Sequence, residues 1–486
     1  MTTGPLRFSS GIQDFSETCF YRSGSEVTVG TMTETLRGSL YVRRVVVDQL
    51  FGRYSYDLRL LPSVAQGPSS LIILYGDNGS GKTTILKLIF NLLAHGHKGG
   101  HRRFLSKIPF KLFRVELGSE IAITVDRTGG SLVGPFSISL NQGTKQITRA
   151  DWILEEQGRV RTTPQTRQAG SEILSYLADL NIGLYFLSDD RKIRSNQYGH
   201  KDEAETDEVI EDDLVEYRHV LRRRLGGVRT GTLHEEDATT PLRTALERAS
   251  SWATQQVLRG SSKGEQDANA IYTDIIQRIA TAQKKDVEKE ELAKGQIIEE
   301  LEKQAKRSVD FSRYGLIAPI HIENLTESIR VAPSSVFPTI VEVLRPYVNG
   351  LEARLNALQP IHDNIDTFCG IVNSFYRDKK LTFNLPHGPT VETSDGDPLS
   401  PGALSSGERQ LLLLFCNILV AKDQNSVFII DEPEISLNVK WQRKLVRTLL
   451  DFTKGSYVQF LLASHSIELL AGHSDHVVKL IDSDDR

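Results

Sequence analysis

Apolar runs of strand length alternate with helical periods in the first part of the chain, which predicts a mixed α/β region. Alternating apolar and β-branched residues predict strands at Val42–Asp48 and Tyr54–Leu61. Leu71–Tyr75 is a continuous apolar run typical of a buried strand, and a helical period follows from about Lys82 to Ala94. Further strands are predicted at residues 112–117, 120–125, 135–140 and 182–187.

The middle of the chain has a different, more polar pattern. Residues 240–307 are helix-prone, with apolar residues on a loose helical period. Two more helices are predicted at Thr339–Leu358 and Ile361–Tyr376, with a break at Pro360, because proline cannot donate the helical hydrogen bond. The heptad pattern is too irregular for a long coiled coil. We therefore expect residues 196–365 to form a mostly helical insertion.

The α/β pattern returns toward the C-terminus, after a segment rich in glycine and proline that predicts a turn. Helices are predicted from about Ser406 to Ala421 and at residues 438–453, and strands at Val427–Ile430 and Val458–Leu462. The chain is therefore expected to be an α/β protein whose two α/β parts are separated by helices.

Composition narrows the class of protein without changing this outline. The chain has 486 residues, with 58 Lys and Arg against 62 Asp and Glu, and 39% apolar residues. This balance is that of a globular protein and excludes a histone-like basic protein or an acidic disordered chain. The three cysteines lack zinc or disulfide spacing and fit a reducing cytoplasm. No apolar run approaches the ~20 residues that span a bilayer, so we expect a cytoplasmic protein without a membrane partner.

A glycine-rich loop joins the apolar run Leu71–Tyr75 to the helix that follows it. Its pattern is Gly76-x4-Gly81-Lys82-Thr83, which would arise by chance only about 0.02 times in a chain of this length. Such a loop binds phosphate oxygens through backbone N–H groups, its lysine reaches the β- and γ-phosphates, and its hydroxyl binds Mg²⁺. The predicted nucleotide-binding residues are Gly76, Asp77, Asn78, Gly79, Ser80, Gly81, Lys82, Thr83 and Thr84.

Two acids follow the apolar run Val427–Ile430, at the carboxyl end of a predicted buried strand. In a parallel α/β sheet this end lies beside the phosphate loop. Asp431 is therefore a candidate Mg²⁺ ligand together with Thr83. Glu432 is the candidate residue that orients and deprotonates the attacking water. With the phosphate loop, the pair predicts hydrolysis of ATP with Mg²⁺ as cofactor.

The segment Leu404–Gln410 reads Leu-Ser-Ser-Gly-Glu-Arg-Gln and opens the helix before that strand. It resembles the signature motif of ABC-type ATPases, usually Leu-Ser-Gly-Gly-Gln, with Ser406 and Glu408 at its third and fifth positions. The motifs also follow one another in the order found in ABC ATPases. The phosphate loop comes first, then the signature, then the strand that ends in Asp431 and Glu432, and then the histidine of Ser464–Ser466. The resemblance implies that His465 contacts the γ-phosphate. It further implies nucleotide contacts from Ser405, Ser406, Gly407 and Glu408.

The resemblance covers roughly residues 40–195 and 370–480 and implies an ABC-type P-loop ATPase head. The helical insertion lies between its phosphate loop and its signature motif. In this superfamily the signature of one head completes the phosphate site of another, so at least a head-to-head dimer is expected. The implied division has four parts. Residues 1–38 are either a tail or an upstream extension of a chain that starts at Met32. The N-terminal lobe of the head (39–195), the insertion (196–365) and the C-terminal lobe of the head (366–486) follow.

Two strings point to a branch of the superfamily. Asp431–Gln442 and Ser464–Leu470 resemble the RecF/SMC/OLD branch, and the signature resembles ATPase subunits of two-gene bacterial antiphage systems such as Septu and PARIS. This implies an ATP-dependent sensor or scaffold that controls a separate nuclease effector, with a phage protein as trigger. A RecF-like DNA repair or maintenance ATPase is the alternative, while a transporter subunit is disfavoured by the insertion. The chain itself is expected to lack nuclease activity, because the acidic residues after His465 have no predicted strand or helix that would fix them as metal ligands.

Three features stay open at the level of sequence. The glutamine that ABC ATPases carry after the phosphate loop is not identified: Gln142 and Gln146 lie near a strand end, and Leu187–Arg191 is equally plausible. Residues 98–114 hold six Lys or Arg and no acid, so they form either a DNA-contacting surface or a solvated or phosphate-proximal one. An acidic block at 201–217 and a basic block at 218–229 either pair within one chain, between protomers or with a partner, or are solvated. Pairing within the chain or solvation is the default expectation.

Overall fold

The computed structural model describes the two predicted α/β parts and much of the helical segment between them. The described residues are 40–59, 70–96, 100–118, 120–127, 129–155, 159–188, 193–196, 239–260, 290–333 and 336–481. Residues 1–38 and both charged blocks within 201–229 lie outside these ranges. Within the ranges, no helix is long and apolar enough to cross a membrane.

The described chain contains sixteen strands and ten α-helices. The strands are β1 (Val42–Leu50), β2 (Tyr54–Arg59), β3 (Ser70–Tyr75), β4 (Leu112–Leu117), β5 (Ile121–Arg127), β6 (Phe136–Gln142), β7 (Lys145–Leu154), β8 (Val160–Thr162), β9 (Gly183–Leu187), β10 (Ile193–Ser195), β11 (Lys379–Asn384), β12 (Gly388–Thr393), β13 (Pro398–Leu399), β14 (Ser426–Asp431), β15 (Val458–Ser464) and β16 (Val477–Lys479). The helices are Lys82–Leu93, His101–Lys107, Arg167–Asp179, residues 239–260, Glu290–Ser312, Glu323–Val331, Phe337–Asn373, Ser406–Ala421, Val439–Phe452 and Ile467–Leu470.

Seven strands form an antiparallel sheet in the order β2-β1-β4-β5-β6-β7-β8. Val45 of β1, the strand next to the edge, pairs with Leu58 of β2 and Val115 of β4, and all three side chains are buried. The five strands predicted in this region are confirmed. β7 and β8 were not predicted, because β7 exposes most of its residues and so lacks the apolar alternation that marks a strand.

Six strands form a second sheet in the order β10-β9-β14-β15-β3-β16, and all of them except β10 are parallel. β14 and β15 are buried at every position, as expected for parallel strands covered on both faces. β15 lies between β3, which leads into the glycine-rich loop, and β14, which ends at Asp431. Because parallel strands end at the same edge, the loop and the acid share that edge, one strand apart.

Each face of the parallel sheet has its own hydrophobic core. Successive side chains of a strand point to opposite faces, so Val427 and Phe428 of β14 belong to different clusters. The helix Ser406–Ala421 packs into the cluster that contains Phe428. The helix Lys82–Leu93 packs into the cluster that contains Val427, together with the antiparallel sheet. The two helices that carry the predicted nucleotide motifs therefore lie on opposite faces of the sheet.

A single helix, Phe337–Asn373, replaces the two helices predicted around Pro360. The predicted break was wrong. Pro360 lies inside the helix, as does Pro346, and each proline costs about 3 kcal/mol by removing a hydrogen bond and crowding the preceding turn. Leu358 and Ile361, on either side of Pro360, are buried. Burial of such side chains contributes about 1.5–3 kcal/mol each, so packing on both sides keeps the helix continuous.

The described part of the predicted insertion is mostly helical, and it packs onto the α/β part. In the helix at 239–260, Trp252 Nε1 and Gln256 Nε2 donate hydrogen bonds to Asp423 Oδ2 at 3.0 and 2.8 Å. The helix Phe337–Asn373 continues past residue 365, where the insertion was expected to end. The division of the chain into domains stays a prediction.

A small antiparallel sheet, β11-β12-β13, occupies the segment that was predicted as a turn rich in glycine and proline. Its strands are short and only half-buried, so the apolar pattern that would reveal them is weak. β11 begins at Lys379, whose ammonium donates to Glu408 at 2.8 Å. The small sheet thus supports the start of the helix Ser406–Ala421.

Candidate nucleotide site

β3 runs directly from Tyr75 into the glycine-rich loop, after which a helix begins at Lys82. Gly79 and Gly81 have φ angles of 84° and 90°, in the left-handed region that glycine adopts without strain. A Cβ at Gly81 would also lie 2.7 Å from a methyl group of Leu50. The loop therefore requires glycine both for its conformation and for its packing against β1.

The Lys82 side chain folds back over the loop. Its ammonium donates to the carbonyl oxygens of Gly76 at 2.7 Å and Asp77 at 3.0 Å. Tyr56 Oη, from β2, donates to the carbonyl oxygen of Ser80 at 3.0 Å. A fixed positive charge and the N-terminus of a helix thus stand together at the carboxyl edge of the sheet, an arrangement that favours a phosphate anion.

Thr83 and Asp431, the two predicted Mg²⁺ ligands, lie in contact. Thr83 Oγ1 donates to Asp431 Oδ1 at 2.9 Å, although 348 residues separate them in the chain. Among the described residues, no group of three or more His, Cys, Asp or Glu could hold a metal ion. Mg²⁺ bound with phosphates needs only one or two protein oxygens, because phosphates and waters complete its octahedron. One hydroxyl and one buried carboxylate therefore fit Mg²⁺.

Glu432 and His465, the two predicted catalytic residues, face each other at this edge. Glu432 Oε1 lies 3.4 Å from His465 Nδ1, and the side chains are 28% and 51% exposed. Glu432 has a φ angle of 47°, a left-handed conformation that costs a residue other than glycine about 1–3 kcal/mol. Its N–H donates to the carbonyl oxygen of Ala463 at 2.9 Å. This bond holds the turn after β14, so that Glu432 leaves the buried strand for a position that water can reach.

The signature segment begins a helix, as predicted. Ser405 is the N-cap and forms a capping box with Glu408: the Ser405 N–H donates to Glu408 Oε2 at 2.7 Å, and the Glu408 N–H donates to Ser405 Oγ at 3.3 Å. Partial burial opposes ionisation of Glu408, but the hydrogen bonds from Lys379 and Ser405 outweigh it and hold the pKa of this carboxyl below its usual value. The fifth signature position is thus an anion whose charge Lys379 balances.

Gly407 packs closely against the loop that precedes the helix Val439–Phe452. A Cβ at Gly407 would lie 2.6 Å from the carbonyl oxygen of Ser436. Ser436 has a φ angle of 68°, and Asn438 caps the following helix by accepting a hydrogen bond from the Trp441 N–H at 3.0 Å. The signature and this loop therefore form one continuous surface of the molecule.

Glu434 is a site residue that we did not predict from the sequence. It is 7% exposed, and its Oε1 accepts three hydrogen bonds, from Ser464 Oγ at 2.7 Å and from the N–H groups of His465 and Ser466 at 3.1 and 3.2 Å. The only signal in the sequence is an acid two residues after the Asp-Glu pair, between a proline and an isoleucine. Acids are rarely buried unless they are paired, so the sequence gives no reason to expect that Glu434 is buried in the site.

The candidate glutamines occupy different parts of the fold. Gln142 ends β6 and Gln146 lies in β7, so both belong to a hairpin of the antiparallel sheet. Leu187 ends β9, where it pairs with Ile430, the residue before Asp431. β9 therefore ends next to the acids, and residues 189–192, which follow it, lie outside the described ranges. The glutamine stays unassigned.

Part of the basic run at residues 98–114 is structural. Arg102 is partly buried and donates to the carbonyl oxygens of Asn91 at 2.6 Å and Ala94 at 3.0 Å. Desolvation of the guanidinium lowers the pKa of Arg102 to about 10. These carbonyls stand at the end of the helix that begins at Lys82 and would lack intrahelical partners. Arg102 therefore caps that helix.

Comparison with protein families adds an independent finding. A family model described as "AAA domain, putative AbiEii toxin, Type IV TA system" matches residues 172–471. The matched residues include the signature, Asp431 at the end of β14, Glu432 and His465, and the match begins downstream of the glycine-rich loop. No curated protein matches the chain.

A search of solved structures finds matches to three Smc heads. One is the Smc head domain of Pyrococcus furiosus with an extended coiled coil, bound to the C-terminal domain of ScpA, with a TM-score of 0.38, 12% identity, and coverage of 91% of this chain and 94% of that one. The SmcHead bound to the C-winged helix domain of ScpA has a TM-score of 0.36 and 12% identity, covering 90% and 93%. The Smc head domain with a coiled coil and joint from Pyrococcus yayanosii has a TM-score of 0.33 and 14% identity, covering 90% and 94%.

The family match spans well over half of the chain. The predicted α/β class is confirmed, with a parallel sheet whose carboxyl edge carries the glycine-rich loop and the two acids. The chain therefore belongs to this family of AAA domains, and its fold is that of a P-loop ATPase.

Proposed function

We propose that this chain hydrolyses ATP with Mg²⁺ at the carboxyl edge of its parallel sheet. The contact that carries the proposal is the 2.9 Å hydrogen bond between Thr83 Oγ1 and Asp431 Oδ1. It joins the phosphate-binding loop to the acidic strand end. In P-loop ATPases a hydroxyl of the loop and an acid of this kind hold the Mg²⁺ that bridges the β- and γ-phosphates.

Each residue at this edge has a distinct role in the proposed reaction. Lys82 and the N–H groups of the loop hold the β- and γ-phosphates. Thr83 and Asp431 hold Mg²⁺, which neutralises the charge that develops on the phosphates. Glu432 orients the attacking water and accepts its proton. His465, beside Glu432, contacts the γ-phosphate.

The active unit in this proposal is a head-to-head dimer. The signature helix and the phosphate-loop helix pack on opposite faces of one parallel sheet. A signature in that position meets a γ-phosphate across an interface between two chains, so that Ser406 and Gly407 complete the site of the partner copy. The chain has one set of motifs, and two copies therefore supply two complete sites.

Lys82→Ala tests the site itself. The variant removes the positive charge that the β- and γ-phosphates require, so release of phosphate from ATP should fall to background. Lys87→Ala is the matched control, because Lys87 lies in the same helix one turn beyond the loop, and this variant should retain hydrolysis. Full hydrolysis by Lys82→Ala would refute the proposed site.

We further propose that the ATPase is the sensor or scaffold of an antiphage system, in which it controls a separately encoded nuclease and responds to a phage protein. Two observations support this role. The signature string resembles those of two-gene antiphage ATPases, and the description of the matching family names a toxin of a toxin–antitoxin system, which is an arrangement of separate components. A RecF-like ATPase that maintains DNA is the alternative outcome.

Expression of the gene with and without its neighbours, followed by phage challenge, separates these roles. We expect protection to require a neighbouring nuclease gene and to disappear with Lys82→Ala, while the purified chain alone leaves DNA uncut with Mg²⁺ or Mn²⁺. Protection by the chain alone would contradict the two-component proposal. DNA-damage sensitivity of a deletion strain, without any effect on phage, would instead support DNA maintenance.

A further inference from the structure

Glu434 connects three segments that meet at the candidate site. Its Oε1 receives the three hydrogen bonds from the turn that carries His465. Its backbone carbonyl oxygen accepts from Gln442 Nε2 at 3.4 Å, and Gln442 Oε1 accepts from Ser466 Oγ at 2.9 Å. One buried acid thus joins the turn after β14, the first turns of the helix Val439–Phe452 and the turn after β15.

The charge of Glu434 is not needed to build this network. The amide oxygen of a glutamine could accept the same three hydrogen bonds without the cost of burying a carboxylate. The second carboxylate oxygen, Oε2, is buried and has no hydrogen-bond partner among the described residues, which destabilises the folded chain. The carboxylate instead adds a negative charge 3.5 Å from His465 Nδ1, the same nitrogen that lies 3.4 Å from Glu432 Oε1.

We propose that Glu434 is a positioning residue for hydrolysis, an inference that rests on the proposed ATPase function. With carboxylate oxygens on one side, Nδ1 of His465 is the nitrogen that carries the proton, which leaves Nε2 for the γ-phosphate. Glu434 also fixes the turn of His465 against the turn of Glu432, so that the histidine and the base keep one mutual geometry. Glu434 acts on the reaction only through His465 and its turn.

Glu434→Gln removes the negative charge but keeps the hydrogen-bond network, because the amide oxygen can accept the same three hydrogen bonds. We expect kcat for ATP hydrolysis to fall by roughly 10- to 100-fold, while KM for ATP and the thermal unfolding midpoint stay near those of the wild type. Glu116→Gln is the matched control. Glu116 is a largely buried acid, 17% exposed, that pairs with Arg44 and Arg114 in the antiparallel sheet, and its variant should keep the wild-type kcat.

A double-mutant cycle with His465→Ala tests whether Glu434 affects hydrolysis through His465. Glu434→Gln should not lower the single-turnover rate further once His465 is absent. Additive losses would overturn the proposal, and so would a wild-type kcat in Glu434→Gln.

If Glu434→Gln fails to fold, Ser464→Ala decides the question. It removes one of the three donors to Oε1 and should lower kcat in the same direction, so a wild-type kcat in this variant overturns the proposal. A wild-type protein that binds ATP and does not hydrolyse it would refute the proposed function itself, which is a different outcome from loss of the Glu434 effect.

Discussion

Replacement of Gly407 by alanine tests how closely the signature is fitted to its own head. The new Cβ would lie 2.6 Å from the carbonyl oxygen of Ser436, and 3.4 Å from side-chain atoms of Leu437 and Trp441. Real Cβ contacts do not fall below 3.0 Å, and a backbone oxygen cannot rotate away, so the signature and the loop must separate. Overpacking of this kind costs about 1–3 kcal/mol of folding free energy. A displacement near 1 Å in a site costs up to about 100-fold in rate.

We therefore expect Gly407→Ala to lower kcat for ATP hydrolysis by roughly tenfold or more and to reduce the unfolding free energy in urea. Gly295→Ala is the control, because nothing lies within 4 Å of a Cβ at this position in the helix Glu290–Ser312. That variant should keep its kcat and gain about 0.5–1 kcal/mol from helix propensity. A wild-type rate and stability in Gly407→Ala would refute the close packing of the signature against Ser436. Equal losses in Gly407→Ala and Gly295→Ala would show that the effect is not specific to this contact.

Three further variants test other contacts. Lys379→Met should lower the unfolding temperature near neutral pH. Because the pKa of Glu408 is lowered in the folded protein, this difference from the wild type is fully present above the ordinary carboxyl pKa and should shrink as the pH falls below about 4. Thr83→Ala removes one of two proposed protein ligands, so a metal titration should show a higher Mg²⁺ requirement for hydrolysis, and an unchanged titration would contradict that role. Arg102→Met should lose about 2 kcal/mol in urea unfolding while keeping its kcat, since Arg102 caps a helix end.

The parallel sheet and its functional edge could be predicted because their sequence signals are local. β14 and β15 are buried on both faces, and such strands appear as continuous apolar runs. Each motif then stands directly at the end of a strand or the start of a helix. The contact between Thr83 and Asp431 follows, since both stand at the carboxyl edge of the same sheet.

The remaining features depend on tertiary contacts that leave no local pattern. β7 exposes most of its residues, and its pairing with β6 and β8 makes it a strand. Pro360 favours a helix end locally, but core packing on both sides overrides that preference. Glu434 becomes a site residue only because the turn of residues 464–466, some 30 residues away, donates three hydrogen bonds to it. Lys379 likewise meets Glu408 through a sheet that was predicted as a turn.

Sedimentation of Glu432→Gln with and without Mg²⁺ and ATP tests most directly whether two copies close around the nucleotide. Glutamine keeps the size of the side chain and cannot accept the proton of the attacking water, so bound ATP should persist and trap closed pairs. We predict dimers at micromolar concentration only when ATP is present, and monomers under the same conditions when Lys82→Ala is added to the variant. A Glu432→Gln chain that binds ATP and stays monomeric would contradict the composite site.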